Sequence, residues 1–340
     1  MKNFTYHQPT SLATALPLLT DQWGKAELLA GGTDLHDLQK EYVAQPDTVV
    51  SLNGILGDFR AIIVTAAPNN VPAGFTIGGG VKLTDLAEHA GLRASYPALT
   101  GAAELIAGPQ IRNMGTLGGS LCQRNRCWYF RDEHVHCLLK GGRKCYAQEG
   151  ENRYHAVFTT GHPCVIVHPS TLAPPLIALG AVAEIVGPKG ARELPVEKMY
   201  RAPVKATERE HLLAPNEILA AVKITPPPGR FRNASYEVRE KDSSDWPLVQ
   251  ASAAFMLDGN LARNVRIALG HVAPTPLLSE SAAKAVEGKA VTEATAAAAG
   301  EAACEGVRPL SDNAYKVKLL AVAVKRALLT AAGGKPYWEA

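Results

Sequence analysis

Three features predict an α+β chain built in two parts. Helix-like and strand-like periods alternate through the first two thirds. A proline-rich break, Thr225-Pro226-Pro227-Pro228-Gly229, interrupts them. Beyond it a hairpin signal is followed by Ala-rich helical stretches. At 340 residues the chain is long enough for two or three domains with cores of their own. The expected boundaries are 1–225 and 230–340, with a cysteine-bearing insertion at about 122–164.

Taken in order, Ser11–Leu19 begins as a capped helix that Pro17 keeps short. Ala26–Ala30 is a short buried strand running into Gly31-Gly32-Thr33-Asp34, and Asp47–Leu52 is another. Phe75–Ile77 leads into Gly78-Gly79-Gly80, with a helix over Leu83–His89 and a second over Pro97–Ala107 that Gly108-Pro109 ends. The polar stretch 132–161 has little periodicity, and a loop of that length needs something to staple it. Regular structure is expected again at Cys164–His168 and over Leu176–Val186. After the proline break, Ser235–Arg239 alternates as a strand. Val249–Leu257 and Leu261–Leu269 flank Asp258-Gly259-Asn260 as a hairpin. Helices are expected at Ser279–Glu287, Thr292–Cys304 and Ala314–Ala332.

Composition narrows the function classes. A net charge of only +3 argues against a nucleic-acid binder. No apolar run reaches the roughly 20 residues of a membrane span; even Leu319–Ala332 is broken by Lys325 and Arg326. Met1–Pro9 lacks an apolar signal core, so the expected compartment is the cytoplasm, with carriage outward by a signal-bearing partner as the alternative. Six cysteines in this length do not make a disulfide scaffold.

Two glycine segments look built for a charged ligand. In Leu29-Ala30-Gly31-Gly32-Thr33-Asp34-Leu35, adjacent glycines after a strand let backbone N–H groups face an anion without a Cβ in the way. In Ile106–Ser120, Gly115, Gly118 and Gly119 allow close approach, and Thr116 and Ser120 offer hydroxyls. Neither is a dinucleotide fingerprint or a phosphate-loop motif, and each alone could be a tight turn. Arg112 could equally serve a structural ion pair.

Five of the six cysteines lie between Cys122 and Cys164. Either Cys127, Cys137, Cys145 and Cys164 or Cys122, Cys127, Cys137 and Cys145 could form a quartet. Spacing leaves an iron–sulfur cluster, zinc, disulfides and free thiols open, because no tight zinc knuckle or compact ferredoxin run is present. His134, His136, His155, His162 and His168 are possible zinc or Rieske-type ligands, or plain surface histidines. Arg124, Arg126 and Arg131 could offset a cluster's charge, or line a solvated loop. Cys304 reads as a small buried apolar residue.

Ala30–Leu35, Ile111-Arg112-Asn113-Met114-Gly115-Thr116-Leu117-Gly118-Gly119 and Gly270-His271-Val272-Ala273-Pro274-Thr275-Pro276 together resemble the FAD-binding medium subunits of the xanthine dehydrogenase/molybdenum hydroxylase family, end to end. Cys127-Trp128-Tyr129-Phe130-Arg131-Asp132, followed by Cys137, Cys145, Asn152–Ala156 and Cys164, resembles the subset with an extra [4Fe-4S] cluster. Periplasmic aldehyde oxidoreductase flavin subunits and 4-hydroxybenzoyl-CoA reductase belong to it. The resemblance implies a vanillyl-alcohol-oxidase/PCMH-type FAD-binding fold of two subdomains plus a C-terminal α+β domain. It implies FAD held by Leu29 to Leu35, Ile111, Arg112, Thr116, Gly118, Gly119, Ser120, Thr171 and Lys241, and cluster ligands Cys127, Cys137, Cys145 and Cys164, with Cys122 a bystander. Relatives commonly carry an aspartate after Pro-Ser where this chain has Thr171, which can hydrogen-bond but supplies no charge. The implied partners are a large molybdenum-cofactor subunit and a small [2Fe-2S] subunit, as a heterotrimer or a dimer of heterotrimers. The implied role is electron transfer, with the substrate (an aldehyde by likeness) oxidised on the large subunit. A stand-alone FAD oxidoreductase and a zinc-stabilised scaffold are the competing readings.

Overall fold

The computed structural model describes residues 1–65, 74–225, 227, 229–241 and 245–334. Near the N-terminus, three short parallel strands form a small sheet, with Thr48–Ser51 between Thr5–His7 and Ala26–Leu29. Parallel neighbours need a crossover. Helix Leu35–Lys40 lies on the one between the second and third strands, so the first glycine segment becomes a strand-to-helix turn. Ser11 caps the short helix Leu12–Ala15 through a reciprocal box with Thr14, and Pro17 carries the chain on as a 3-10 turn. Ala15, Leu19, Ala26, Val50, Leu52, Ile55 and Phe59 bury the inner side of this layer.

The second sheet is antiparallel, in the order Ile62–Thr65, Gly74–Gly78, Ile218–Ile224, Val182–Gly187, Gly190–Pro195. Its middle strand, Ile218–Ile224, is buried along almost its whole length, which explains its continuous apolar sequence. Helices Leu83–Glu88, Ala90–Ser95, Pro97–Glu104 and Ala173–Ala178 share the core of this sheet around Phe75, Ile77, Tyr96, Leu99, Leu172 and Val222.

Beyond the break, a four-stranded antiparallel sheet runs Leu277–Leu278, Leu261–Gly270, Val249–Asp258, Arg230–Val238. Its hairpin closes where the sequence predicts. Asp258 pairs with Leu261 across Gly259-Asn260, and Gly259 takes φ +58°. Helices Glu280–Val286, Glu293–Ala302 and Tyr315–Ala331 share its core. Their alanines allow close packing: a Cβ on Gly300 would stand 2.3 Å from the Ala321 carbonyl oxygen. Pro226 and Pro228 of the proposed linker lie outside the described residues.

Two local expectations need correction. Cys164–His168, expected to be regular, forms no helix or strand; its backbone makes isolated bonds, Ala156 N to Val165 O and His168 N to Ala273 O. The second glycine segment is mostly helical: Pro109–Met114 starts with proline at its first position, and Thr116 caps Leu117–Leu121 by accepting from the Gly119 amide at 3.1 Å. The stretch 132–161 is irregular as expected, with single 3-10 turns at Leu138–Lys140 and Tyr146–Gln148.

Candidate functional site

The two glycine segments meet. A Cβ on Gly31 would stand 2.1 Å from Met114 O and 2.9 Å from Gly115 Cα, so the first turn lies directly against the backbone of the second segment. Gly32 is required for another reason: its φ is +75°. A third tract joins them. Gly118 N donates to Gly79 O at 2.8 Å, and Gly79 in turn is pressed against Leu219 O, with 2.2 Å to a would-be Cβ.

These contacts surround a cavity of about 900 Å³. Ala30 to Leu35, Gly79, Thr116, Gly118 and Gly119 line it, together with Trp23, Arg124, Arg209 and His211. Among the described residues, no backbone hydrogen bond of the fold uses the amides of Gly32, Thr33 or Asp34 as donors. The Gly118 and Gly119 amides, by contrast, are spent inside the protein. His211 and Arg124, two of the residues lining the cavity, each carry a buried nitrogen without a partner, Nδ1 and Nη2. Free consecutive amides at a glycine turn fit a bound anionic group. Arg209 lies over the Trp23 ring at 4.7 Å and pairs with Glu27 at 2.8 Å.

The Asp34 side chain is held by arginines of the cysteine insertion. Its carboxylate accepts from Arg131 Nη2 at 2.6 Å, Arg126 Nη2 at 3.2 Å and the Arg124 amide at 2.9 Å. Asp37 pairs with the same two guanidinium groups. Behind them sits Glu210, wholly buried, accepting from Arg124 Nε at 2.8 Å and from Asn125 N and Nδ2 at 3.0 and 2.7 Å. Burial would raise the Glu210 carboxyl, but Arg124 and Asn125 prevail and hold it at about 2. His211 is driven down to about 3, chiefly by burial.

A second cleft, about 980 Å³, is also lined by members of this ion-pair cluster, Asp37, Arg126 and Arg131. Arg126, Cys127, Trp128, Tyr154, His155, Lys241, Trp246 and His271 line it. The Arg126 guanidinium lies 4.5 Å over the Trp246 ring. Lys241 is therefore on the second cleft and the glycine turns on the first. Leu29, Ile111, Ser120 and Thr171 line neither. Ser120 Oγ meets Ser170 Oγ at 3.2 Å, and the Thr171 carbonyl accepts from Gln250 Nε2 at 2.9 Å. Arg112 also lines neither; it closes the preceding turn by donating to Ile106 O and Ala107 O at 3.0 and 2.7 Å.

The cysteines separate cleanly. All six are free. Cys127, Cys137, Cys145 and Cys164 share one small apolar cluster with Leu38, Phe130, Leu139 and Ile166. Cys122 packs against the core of the second sheet and Cys304 against that of the third. The Cys164 thiol donates a hydrogen bond to Cys145, which lowers the Cys145 thiol and raises its own. Burial pushes Cys127 up to about 12. Among the described residues, no three His, Cys, Asp or Glu groups converge tightly enough for a single metal ion. Of the candidate histidines, His155 meets a cysteine, with Nε2 3.2 Å from Cys127 Sγ. His168 is buried against Tyr200, and His134 stands in solvent beside Glu133.

Trp23, Gly79, Arg209 and His211 are cavity residues that the sequence did not single out. Gly79 was readable from its triple-glycine tract; the other three carry no local signature and arrive from distant elements.

Residues 2–227 match the family described as the FAD binding domain in molybdopterin dehydrogenase, and residues 234–331 match the CO dehydrogenase flavoprotein C-terminal domain. The chain is a FAD-binding medium subunit of the xanthine dehydrogenase/CO dehydrogenase family. This medium subunit is 35% identical to the aldehyde oxidoreductase FAD-binding subunit PaoB of Escherichia coli, over 94% of this chain and 95% of that protein. It is 29% identical to the carbon monoxide dehydrogenase medium chain of Hydrogenophaga pseudoflava, over 96% of each. Its fold superimposes on reconstituted CO dehydrogenase from Oligotropha carboxidovorans with a TM-score of 0.75 at 26% identity, covering 98% of this chain and 99% of the other. These relatives are dehydrogenase and oxidoreductase subunits, and this medium subunit is an oxidoreductase subunit with them. None of its described helices is long and apolar enough to cross a membrane.

Proposed function

We propose that this chain is the electron-transfer subunit of a molybdenum hydroxylase complex, carrying FAD and a [4Fe-4S] cluster. In this reading it works beside a large molybdenum-cofactor subunit and a small [2Fe-2S] subunit, in a heterotrimer or a dimer of heterotrimers. The observation that carries the FAD assignment is a run of three amides, at Gly32, Thr33 and Asp34, that no backbone hydrogen bond of the described fold uses and that line one cavity. Those amides suit the FAD diphosphate, and Thr116, Gly118 and Gly119 line the same cavity. Lys241 on the second cleft suits the flavin ring as a fixed positive charge. Thr171 offers the cavity no charge, and its carbonyl is already engaged by Gln250. When bound, FAD accepts and releases electrons singly or in pairs, which suits it to link one-electron relays to an acceptor.

Cys127, Cys137, Cys145 and Cys164 are the proposed cluster ligands, because they share one apolar cluster from which Cys122 and Cys304 are absent. A four-iron cluster takes four cysteine thiolates, one to each iron. Arg126 and Arg131 stand beside Cys127 on the second cleft and offset negative charge there. The proposed domain division is 1–225 for FAD and 230–340 for the C-terminal domain. An aldehyde, oxidised on the large subunit, is the proposed substrate by likeness to PaoB. The proposed compartment is the cytoplasm, or the periplasm if a partner carries the signal.

The test is anaerobic purification of the chain, alone and with its partners. The chain alone is expected to be yellow-brown, with one FAD and four iron and four sulfide per chain, and the small subunit's [2Fe-2S] centres add their own iron in the complex. A colourless protein that stays so in excess FAD would overturn the flavin assignment, zinc in place of iron would favour the scaffold, and substrate turnover by the isolated chain would favour a stand-alone oxidoreductase.

A further inference from the structure

We propose that His155 tunes the iron–sulfur centre through Cys127, its Nε2–H donating to Cys127 Sγ and thereby favouring the reduced cluster. The inference rests on the cluster assignment above and goes beyond it to a residue that holds no iron.

The geometry carries it. His155 is 3% exposed and its Nε2 lies 3.2 Å from Cys127 Sγ. A thiolate ligand has lone pairs to offer and no proton, so the hydrogen of this contact must come from the ring. The other ring nitrogen, Nδ1, is buried without a partner, so nothing draws the proton of the neutral imidazole away from Nε2.

The ring is also held still. Trp128 packs edge-on against it at 5.3 Å. The His155 amide donates to Asn152 O at 2.9 Å. Its carbonyl accepts from Lys316 Nζ at 3.0 Å and Asn313 Nδ2 at 3.2 Å. Both of these donors come from the C-terminal domain, so that domain sets the direction of the N–H bond. A hydrogen bond to a ligand sulfur withdraws charge from it and stabilises the more negative, one-electron-reduced cluster.

The test compares the full chain with His155→Phe, which keeps the ring and removes the donor, and His155→Gln, whose amide can donate from nearly the same place. The electron is supplied by dithionite, and the midpoint potential is read by EPR-monitored titration. His155→Phe with full iron and sulfide is expected to lower the potential by an amount equivalent to roughly tenfold in the one-electron equilibrium, about 59 mV. His155→Gln should recover most of it. An unchanged potential in an iron-replete His155→Phe chain overturns the proposal. If that variant loses its iron, the wild-type chain labelled with ¹⁵N-histidine decides by pulsed EPR: a weakly coupled histidine nitrogen supports the bond, and its absence overturns it. A wild-type chain without iron overturns the cluster assignment itself, before any variant is compared.

Discussion

Replacing Gly31 by alanine tests whether the two glycine segments form one cradle. The added Cβ would lie 2.1 Å from Met114 O, 2.6 Å from Met114 C and 2.9 Å from Gly115 Cα, all backbone atoms that cannot rotate away. Contact distances near 3.5 Å then require the segments to part by roughly 1 Å. Overpacking of this kind costs about 1–3 kcal/mol. If the segments spring back when FAD is absent, that cost falls on binding, a loss of roughly 5- to 150-fold in affinity at about 1.4 kcal/mol per tenfold. If they stay wedged, it falls on stability. Both are measurable: FAD affinity by flavin fluorescence on the reconstituted apoprotein, and unfolding free energy by urea titration. Gly101→Ala is the control, since Gly101 sits inside helix Pro97–Glu104 with nothing within 4 Å of the new Cβ. That substitution should be neutral or stabilise by up to about 1 kcal/mol. A Gly31→Ala protein with wild-type affinity and wild-type unfolding would refute the reasoning.

Cys137→Ser should lose cluster iron and keep most of its FAD, whereas Cys122→Ser should keep both, as read by iron analysis and flavin absorbance. Glu210, held at about 2 against an unfolded value of 4.5, contributes stability that is fully present above pH 4.5 and is lost as pH falls through 4.5 towards 2. At 1.36 kcal/mol per unit this amounts to about 3 kcal/mol, and a Glu210→Gln chain should show a flatter acid limb in urea titrations between those pH values. Asp34→Asn leaves Arg126 and Arg131 with Asp37 as their remaining carboxylate, and should cost about 1–3 kcal/mol. It should also weaken FAD retention in equilibrium dialysis; intact FAD affinity would show that the carboxylate does not hold the turn.

What was legible in the sequence followed from local chemistry. The hairpin at Asp258-Gly259-Asn260, the capped helices at Ser11 and Ser279 and the strand before Gly31 all depend on residues within a few positions of one another. The errors have the same origin in reverse. Gly118 and Gly119 read as loop, yet the Thr116 cap and the Gly79 carbonyl hold their amides inside a helix, and Gly79 is some forty positions away. Cys164–His168 has a regular apolar composition, but among the described residues it joins no ladder and its backbone hydrogen bonds reach only single distant partners. Strand Ile218–Ile224 was missed because its Ala-rich apolar run has no period; its partners at Gly74–Gly78 and Val182–Gly187 decide its form.

The same distinction separates the residues of the site. Gly31 and Gly32 announce themselves because a backbone with no room for a Cβ leaves only one residue type available. Asp34 announces itself by sitting in the same run, but its carboxylate's pairing with arginines from the cysteine insertion has no local signature. That pairing has a physical consequence. Arg124 bonds Glu210 behind the cavity, its amide bonds Asp34 at the cavity wall, and Arg131 reaches from Asp34 back to the carbonyls of Arg124 and Asn125, just before Cys127. The first glycine turn and the start of the cysteine insertion thus share one buried electrostatic unit. Charge pairs of this kind cost heavily when one member is lost. The turn cannot move without disturbing the backbone that carries Cys127, nor Cys127 without the turn, and no window of sequence around either could reveal that coupling.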